Sequence, residues 1–225
     1  MALHHGLTLA SGILGTIFSF MVYLAPIRTF HKVYKRKSTE GFPSLPYVVE
    51  LFTSMLWIYY AILKRGALLL IIINSVGCVT ETLYIALFLF YASKKSKIQV
   101  VLLVLLIALG YGLMVILTLF LAKGQKRIQV VGWICPVFNL IVLADPLCIM
   151  RKVIRTKSVE FMPFPLSFVQ TIGAVMWFFH GLLLKNYHLA FSNVPGFIVG
   201  IVQMGLYIVY KNSKEILQEP PKLEK

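Results

Sequence analysis

Apolar residues run through this chain in blocks about as long as a bilayer is thick, and the polar residues collect in short knots between them. A helix needs about 20 consecutive apolar residues to cross the hydrocarbon core. Seven stretches reach that length: 7–29, 44–63, 68–91, 99–121, 128–149, 163–184 and 189–210. The connections are too short to hold a soluble domain. The pattern therefore predicts an all-α membrane protein with seven transmembrane helices. A polar tail, "KNSKEILQEPPKLEK", follows the last span and reads as disordered.

Composition agrees and adds a direction. Hydrophobic residues make up 59% of the chain and charged ones 13%, with mean hydropathy +0.83; soluble domains carry about 25% charged residues. The net charge of +14 would suit nucleic acid if it were clustered, but it is sorted by side instead. Fifteen of the 22 Lys and Arg lie in the connections after the first, third and fifth spans and in the tail. Six lie in the other connections, and Arg28 stands at the end of the first span. The positive-inside bias then predicts an outer N-terminus and a cytoplasmic C-terminus, with the basic side facing anionic lipid. The expected partner is the bilayer, not nucleic acid. Cys78, Cys135 and Cys148 sit inside apolar runs and imply no disulfide framework. The first apolar stretch lacks a basic leader and is longer than a signal-peptide core, so it reads as a span.

An internal repeat organises the chain. Sliding residues 26–66 onto 146–186 gives ten identities, among them Pro26/Pro146, Lys37/Lys157, Glu40/Glu160, Pro43/Pro163 and Trp57/Trp177. With one residue deleted, Asn74 meets Asn193 and Gly77 meets Gly196. Matches on Pro, Trp, Glu and Asn are not supplied by shared greasiness. The copies begin four spans apart, so they cross the membrane in the same direction. That requires a 3+1+3 arrangement: two parallel three-helix repeats, 1–93 and 127–212, joined by a linker helix within 94–126, with 213–225 as the tail.

Depth along the helices picks out candidate contact residues. Trp57 lies six residues before Leu63 and Asn74 six after Leu68, about 9 Å below the same surface at 1.5 Å per residue. Trp177 and Asn193 take the matching places in the second repeat. An indole face offers flat apolar area and an Asn amide both donates and accepts, which together suit a neutral sugar. The competing reading is that these residues simply hold helices together, as Asn does in membranes.

The phrases "KSTEGF", "MLWIYYA", "INSVGCVTETLYI", "KSVEFMPF" and "AVMWFFHGLL" closely resemble the plant SWEET sugar facilitators, over nearly the whole chain. Parallel repeats are an established feature of that family. The wording around Trp57 is most similar to the sucrose-carrying members. The resemblance implies bidirectional, passive transport of sucrose or hexoses by alternating access, with no cofactor, no metal and no enzymatic chemistry. It further implies the plasma membrane, with an internal membrane as the alternative, and is compatible with a homo-oligomer.

By the same resemblance, Trp57, Asn74, Trp177 and Asn193 match the family's pocket positions. Ser19, Val22 and Thr53, with their repeat mates Asn139, Val142 and Gly173, match its floor. Pro26, Pro46, Pro146 and Pro163 match its cytoplasmic prolines. A proline inside a helix permits a bend, although Pro43, Pro163 and Pro165 also read as ordinary first-turn prolines. Tyr60 and Lys64 match an outer gate, and Asn186 stands where the family usually has an acid.

Other departures are Arg28, Asp145, Glu50 and His180. Intramembrane charge is costly and points to function, so Arg28 and Asp145 are expected to pair when the cytoplasmic side closes. Arg28 snorkelling to the interface is the alternative. Two other function classes stay in view. One is a proton-coupled transporter using Glu50, Glu81 or Asp145; the other is a seven-helix receptor, disfavoured by the repeat and the short loops.

Overall fold

The computed structural model describes residues 2–160 and 162–211. The expected tail therefore lies outside the described residues. The described residues form nine helical segments and no strands: α1 (Ala2–Leu24), α2 (Ile27–Arg36), α3 (Leu45–Lys64), α4 (Leu68–Tyr91), α5 (Lys94–Leu121), α6 (Gln125–Val142), α7 (Ala144–Thr156), α8 (Phe164–Leu183) and α9 (Tyr187–Tyr210). α1 and α2 together make one span broken near Pro26, and α6 with α7 make another, so the segments amount to seven membrane-crossing units.

Six spans close into a ring. In the first unit α4 packs between α1 and α3; in the second, α9 packs between α6 and α8. The units meet along two seams, α1 against α8 and α3 against α6, which the repeat makes equivalent. α5 stands outside the ring, mainly against α3. Its mean hydropathy of 3.0 far exceeds that of the other spans, and of its side chains only Val100 and Thr118 are buried. A helix apolar on every face, packed on only one, belongs in lipid.

The repeat extends to backbone detail. Among the described residues, four that are not glycine have positive φ: Lys37, Arg65, Lys157 and Lys185. They form two pairs of repeat mates. Lys37 ends α2 at φ 51° and Lys157 ends α7 at φ 52°, both left-handed. In each unit the lysine reaches the tyrosine that closes the third helix. Lys37 Nζ lies 5.2 Å from the Tyr91 ring centroid and 3.9 Å from that of Tyr34. Lys157 Nζ lies 4.7 Å from the Tyr210 centroid and donates to its hydroxyl at 3.0 Å. The left-handed turn aims the chain toward the next helix, and the cation over the ring holds it there.

The prolines divide into two kinds. Pro26 is the N-cap of α2, and Pro146 lies in the first turn of α7 just beyond the break at Leu143; both stand where a span bends. Pro46 lies in the first turn of α3 and Pro163 caps α8, where a missing N–H costs nothing. Of the four prolines expected as hinges, Pro46 and Pro163 thus stand at helix entries, the ordinary first-turn place that the sequence also allowed for Pro163. Two prolines that do lie inside helices, Pro136 in α6 and Pro195 in α9, have no proline at the matching place in the first repeat, which is why the repeat did not point to them.

Candidate functional site

The two seams carry matching contacts at one level. From α3, Trp57 Nε1 donates to Oδ1 of Asn139 on α6 at 3.1 Å. From α8, Trp177 Nε1 donates to Oγ of Ser19 on α1 at 2.9 Å. Donors and acceptors are both repeat mates, so each tryptophan satisfies its N–H across the seam. Both indoles are largely buried, at 5% and 6% exposure. With the N–H groups engaged, what each indole offers a ligand is ring surface. Asn139 keeps its amide N–H groups and Ser19 its hydroxyl hydrogen. The half-sites are thus related in place but unequal in donors.

Asn74 and Asn193 act differently. Each donates from Nδ2 to the carbonyl one turn back in its own helix, Asn74 to Leu70 O at 2.8 Å and Asn193 to Leu189 O at 2.7 Å. Asn193 Nδ2 also lies 3.3 Å from Ser192 Oγ. Among the described residues their Oδ1 atoms have no protein partner, which leaves an acceptor in each unit. Thr53 is buried and donates back to Val49 O at 2.9 Å. Gly173 is buried, with Phe18 Cβ 3.4 Å from where its own Cβ would stand. Val22 and Val142 are half-buried near the ends of α1 and α6.

Beyond this level, toward the α3–α4 and α8–α9 turns, the ring is closed. Tyr60 is fully buried, and its hydroxyl donates to Asn186 Oδ1 at 2.6 Å. The same oxygen accepts from Leu189 N at 3.4 Å as the N-cap of α9. His180, the mate of Tyr60, seals the other seam. Its Nδ1 lies 2.9 Å from Thr8 O and 3.4 Å from Ser11 Oγ. A carbonyl can only accept, so Nδ1 carries the ring proton in that contact.

Two glycines make the closure fit. A methyl on Gly12 would stand 2.6 Å from His180 Cε1, and one on Gly132 would stand 2.9 Å from Tyr60 Cε2 and 2.7 Å from His188 Cδ2. The sequence reading missed this glycine pair, although Gly12 and Gly132 are repeat mates. Nearby, Arg127 donates to the Tyr59 hydroxyl at 2.9 and 2.6 Å, and Tyr59 lies 2.9 Å from Thr118 Oγ1. That network ties α5 to α3 and α6.

The opposite end is laid out differently. Arg28 and Asp145 are both exposed, and no hydrogen bond or ion pair joins them among the described residues. α2 packs on α4 and α7 on α9, each within its own unit. Lys64 is half-buried and close enough to His188 to act on it electrostatically, but takes no part in the Tyr60–Asn186 bond. The apolar groove between α5 and the α3–α6 seam, lined by residues such as Leu106, Met114 and Phe138, offers a polar ligand nothing to bond.

The sequence profile described as "Sugar efflux transporter for intercellular exchange" matches residues 10–96 and again 129–215. The chain belongs to the SWEET family. Among relatives, it is 55% identical to the bidirectional sugar transporter SWEET10 of Arabidopsis thaliana, covering 93% of this chain and 73% of that one. It is 54% identical to the bidirectional sugar transporter NEC1 of Petunia hybrida, covering 92% and 78%. It is 48% identical to the bidirectional sugar transporter SWEET13 of Oryza sativa subsp. japonica, covering 97% and 74%. A solved structure of a eukaryotic SWEET transporter superposes with TM-score 0.88 at 35% identity, covering 93% of this chain and 99% of that one. The 3+1+3 SWEET architecture is thus the architecture of this chain.

Proposed function

We propose that this SWEET protein is a passive, bidirectional carrier of a small neutral sugar, sucrose or a hexose, working by alternating access. The observation that carries the reading is the repeat-related pair Trp57–Asn139 and Trp177–Ser19, one on each seam, below a closed end. Two indole faces stack on the apolar faces of a sugar ring, while Asn139, Ser19 and the Oδ1 atoms of Asn74 and Asn193 exchange hydrogen bonds with its hydroxyls. Thr53, Gly173, Val22 and Val142 set the room below. No charged group belongs to this set, in keeping with a neutral ligand.

The Tyr60–Asn186 and His180–Thr8 contacts act as the outer gate, with the N-terminus outside and the C-terminus in the cytoplasm of a plasma-membrane protein. The conformation described is then closed outside. Rocking about Pro26 and Pro146 opens the outer gate and brings α2 and α7 together, which is where Arg28 meets Asp145.

Counterflow of radiolabelled sucrose and glucose in proteoliposomes, with equal pH on both faces, tests the reading. Saturable exchange that Trp57→Ala abolishes supports it. Exchange that vanishes unless a pH gradient is imposed replaces it with a proton-coupled carrier. Failure of both sugars, with Trp57→Ala indistinguishable from the parent, sinks the pocket assignment.

A further inference from the structure

The first unit holds two carboxyl groups inside the membrane, and among the described residues no cation pairs with either. Glu50 lies on α3 and Glu81 on α4, close enough for the charge of one to act on the other. Glu81 is 3% exposed, and its Oε2 has no hydrogen-bond partner. The Glu50 carboxyl lies against the Tyr23 hydroxyl of α1, which is also 3.4 Å from Ser54 Oγ. The other titratable groups facing this cluster are Tyr47 on α3 and Cys78 and Tyr84 on α4, with Asp145 of α7 acting on Tyr47. All are acids. Among the described residues, neither Glu50 nor Glu81 is ion-paired.

Two carboxylates in one poorly solvated place oppose each other's charge, and an unpaired ion buried there is costly. A proton on one carboxyl removes one of the two charges and with it the cost of burying a bare, unpartnered oxygen as an ion. The repeat does not require the pair: the second unit has Gln170 at the place of Glu50 and Gly200 at that of Glu81. Tyr23 also links the cluster to the bend in the first span. Its backbone carbonyl accepts the Tyr84 hydroxyl at 2.8 Å, three residues before Pro26. Moving the α1 bend therefore moves the hydroxyl that lies against Glu50.

We propose that Glu81, with Glu50 facing it from α3, forms an intramembrane proton-binding site in which a proton held at the free Glu81 Oε2 relieves the opposition of the two carboxylates, with Tyr23 tying its occupancy to the bend between α1 and α2. Such a site gives one unit a sensitivity to protons that its twin lacks. Because occupancy and bend are linked, each biases the other.

Infrared difference spectroscopy of the purified full-length protein in lipid, in H2O and D2O, tests this without any sugar. The expected result is the C=O stretch of a protonated carboxyl at neutral pH, shifted by deuterium. It is lost in the Glu50→Gln/Glu81→Gln double variant and reduced in Glu50→Gln alone. The second unit already carries Gln at that place, so Glu50→Gln suits the fold. Absence of the band from the parent protein, or its persistence in the double variant, overturns the proposal. Replacing sodium and potassium by choline should leave the band unchanged. Growth of the band on that exchange makes the pair a metal-cation site and also overturns it. Tyr23→Phe should shift the band; an unshifted band removes the link to the bend. The readout is independent of which sugar the protein carries, so it stands or falls apart from the transport reading.

Discussion

Tyr60 and Asn186, 126 positions apart, share a 2.6 Å hydrogen bond that joins the second helix of one repeat to the α8–α9 turn of the other. The bond spans the seam, and Asn186 Oδ1 also caps α9. Tyr60→Phe removes the cross-seam bond alone. A net hydrogen bond is worth about 0.5–1.5 kcal/mol, so the gate should spend a few-fold more time open at this end. Cysteine labelling at Ala67 with an impermeant reagent should speed up by that factor. Asn186→Ala loses the cap as well, about 1 kcal/mol more, and should lower the melting temperature further than Tyr60→Phe.

Removing the acceptors of the two indoles should weaken sugar binding. Ser19→Ala and Asn139→Ala each remove a group that exchanges a hydrogen bond with the sugar, worth about 0.5–1.5 kcal/mol, and free the indole from its anchor across the seam. Sugar affinity, measured by scintillation proximity or by counterflow, should fall roughly two- to tenfold in each. Asn139→Ser, which restores an oxygen acceptor like that of the other half-site, should recover most of the loss. Equal defects in Asn139→Ser and Asn139→Ala would argue against the contact.

Small residues at positions 12 and 132 let the aromatic plugs reach the opposite helix. Gly12→Ala places a methyl 2.6 Å from His180 Cε1 and 2.5 Å from Leu69 Cδ1, well inside van der Waals contact. Transport should fall sharply while surface expression persists, and the outer end should label faster. Gly12→Ala combined with His180→Ser removes one of the two clashes and should recover part of the rate.

The left-handed lysines offer a stability test with opposing contributions. Lys157→Gly relieves about 1–2 kcal/mol of left-handed strain and loses about 0.5–1 kcal/mol of cation–π attraction, together with the exposed hydrogen bond to the Tyr210 hydroxyl. Its melting temperature should stay near or slightly above that of the parent. Lys157→Met keeps the strain and loses the attraction, so it should melt lower. Lys37 has the equivalent turn but lies over two rings, Tyr34 and Tyr91, so Lys37→Gly should gain less than Lys157→Gly.

The seven spans were legible because hydropathy measures what lipid demands. The stretches 44–63 and 68–91 lie within a residue of α3 and α4. The first span was cut short at 29, since α2 continues to Arg36 through a run of basic residues that a hydropathy reading leaves out of a span. Hydropathy reports the bilayer, while backbone hydrogen bonds carry the helix on. The candidate site was legible in depth and not in pairing. Position along a helix put Trp57, Asn74, Trp177 and Asn193 at one level, but rotation about the axis decides the neighbours. The tryptophans turn to Asn139 and Ser19 across the seams, while both asparagines bond within their own helices. Tyr23 gave no signal at all, because a tyrosine in an apolar run shows nothing of the carboxyl it will meet.

α5 contributes one further consequence. It lies along the α3–α6 seam and is fastened there through Thr118, Tyr59 and Arg127, whereas it packs on neither α1 nor α8 to any comparable extent. The two covers of this book therefore share a spine on one side only. Along the other edge, where Gly12 faces His180 and Ser19 faces Trp177, the halves are held by direct α1–α8 packing alone, so two halves related by symmetry are fastened along unequal seams.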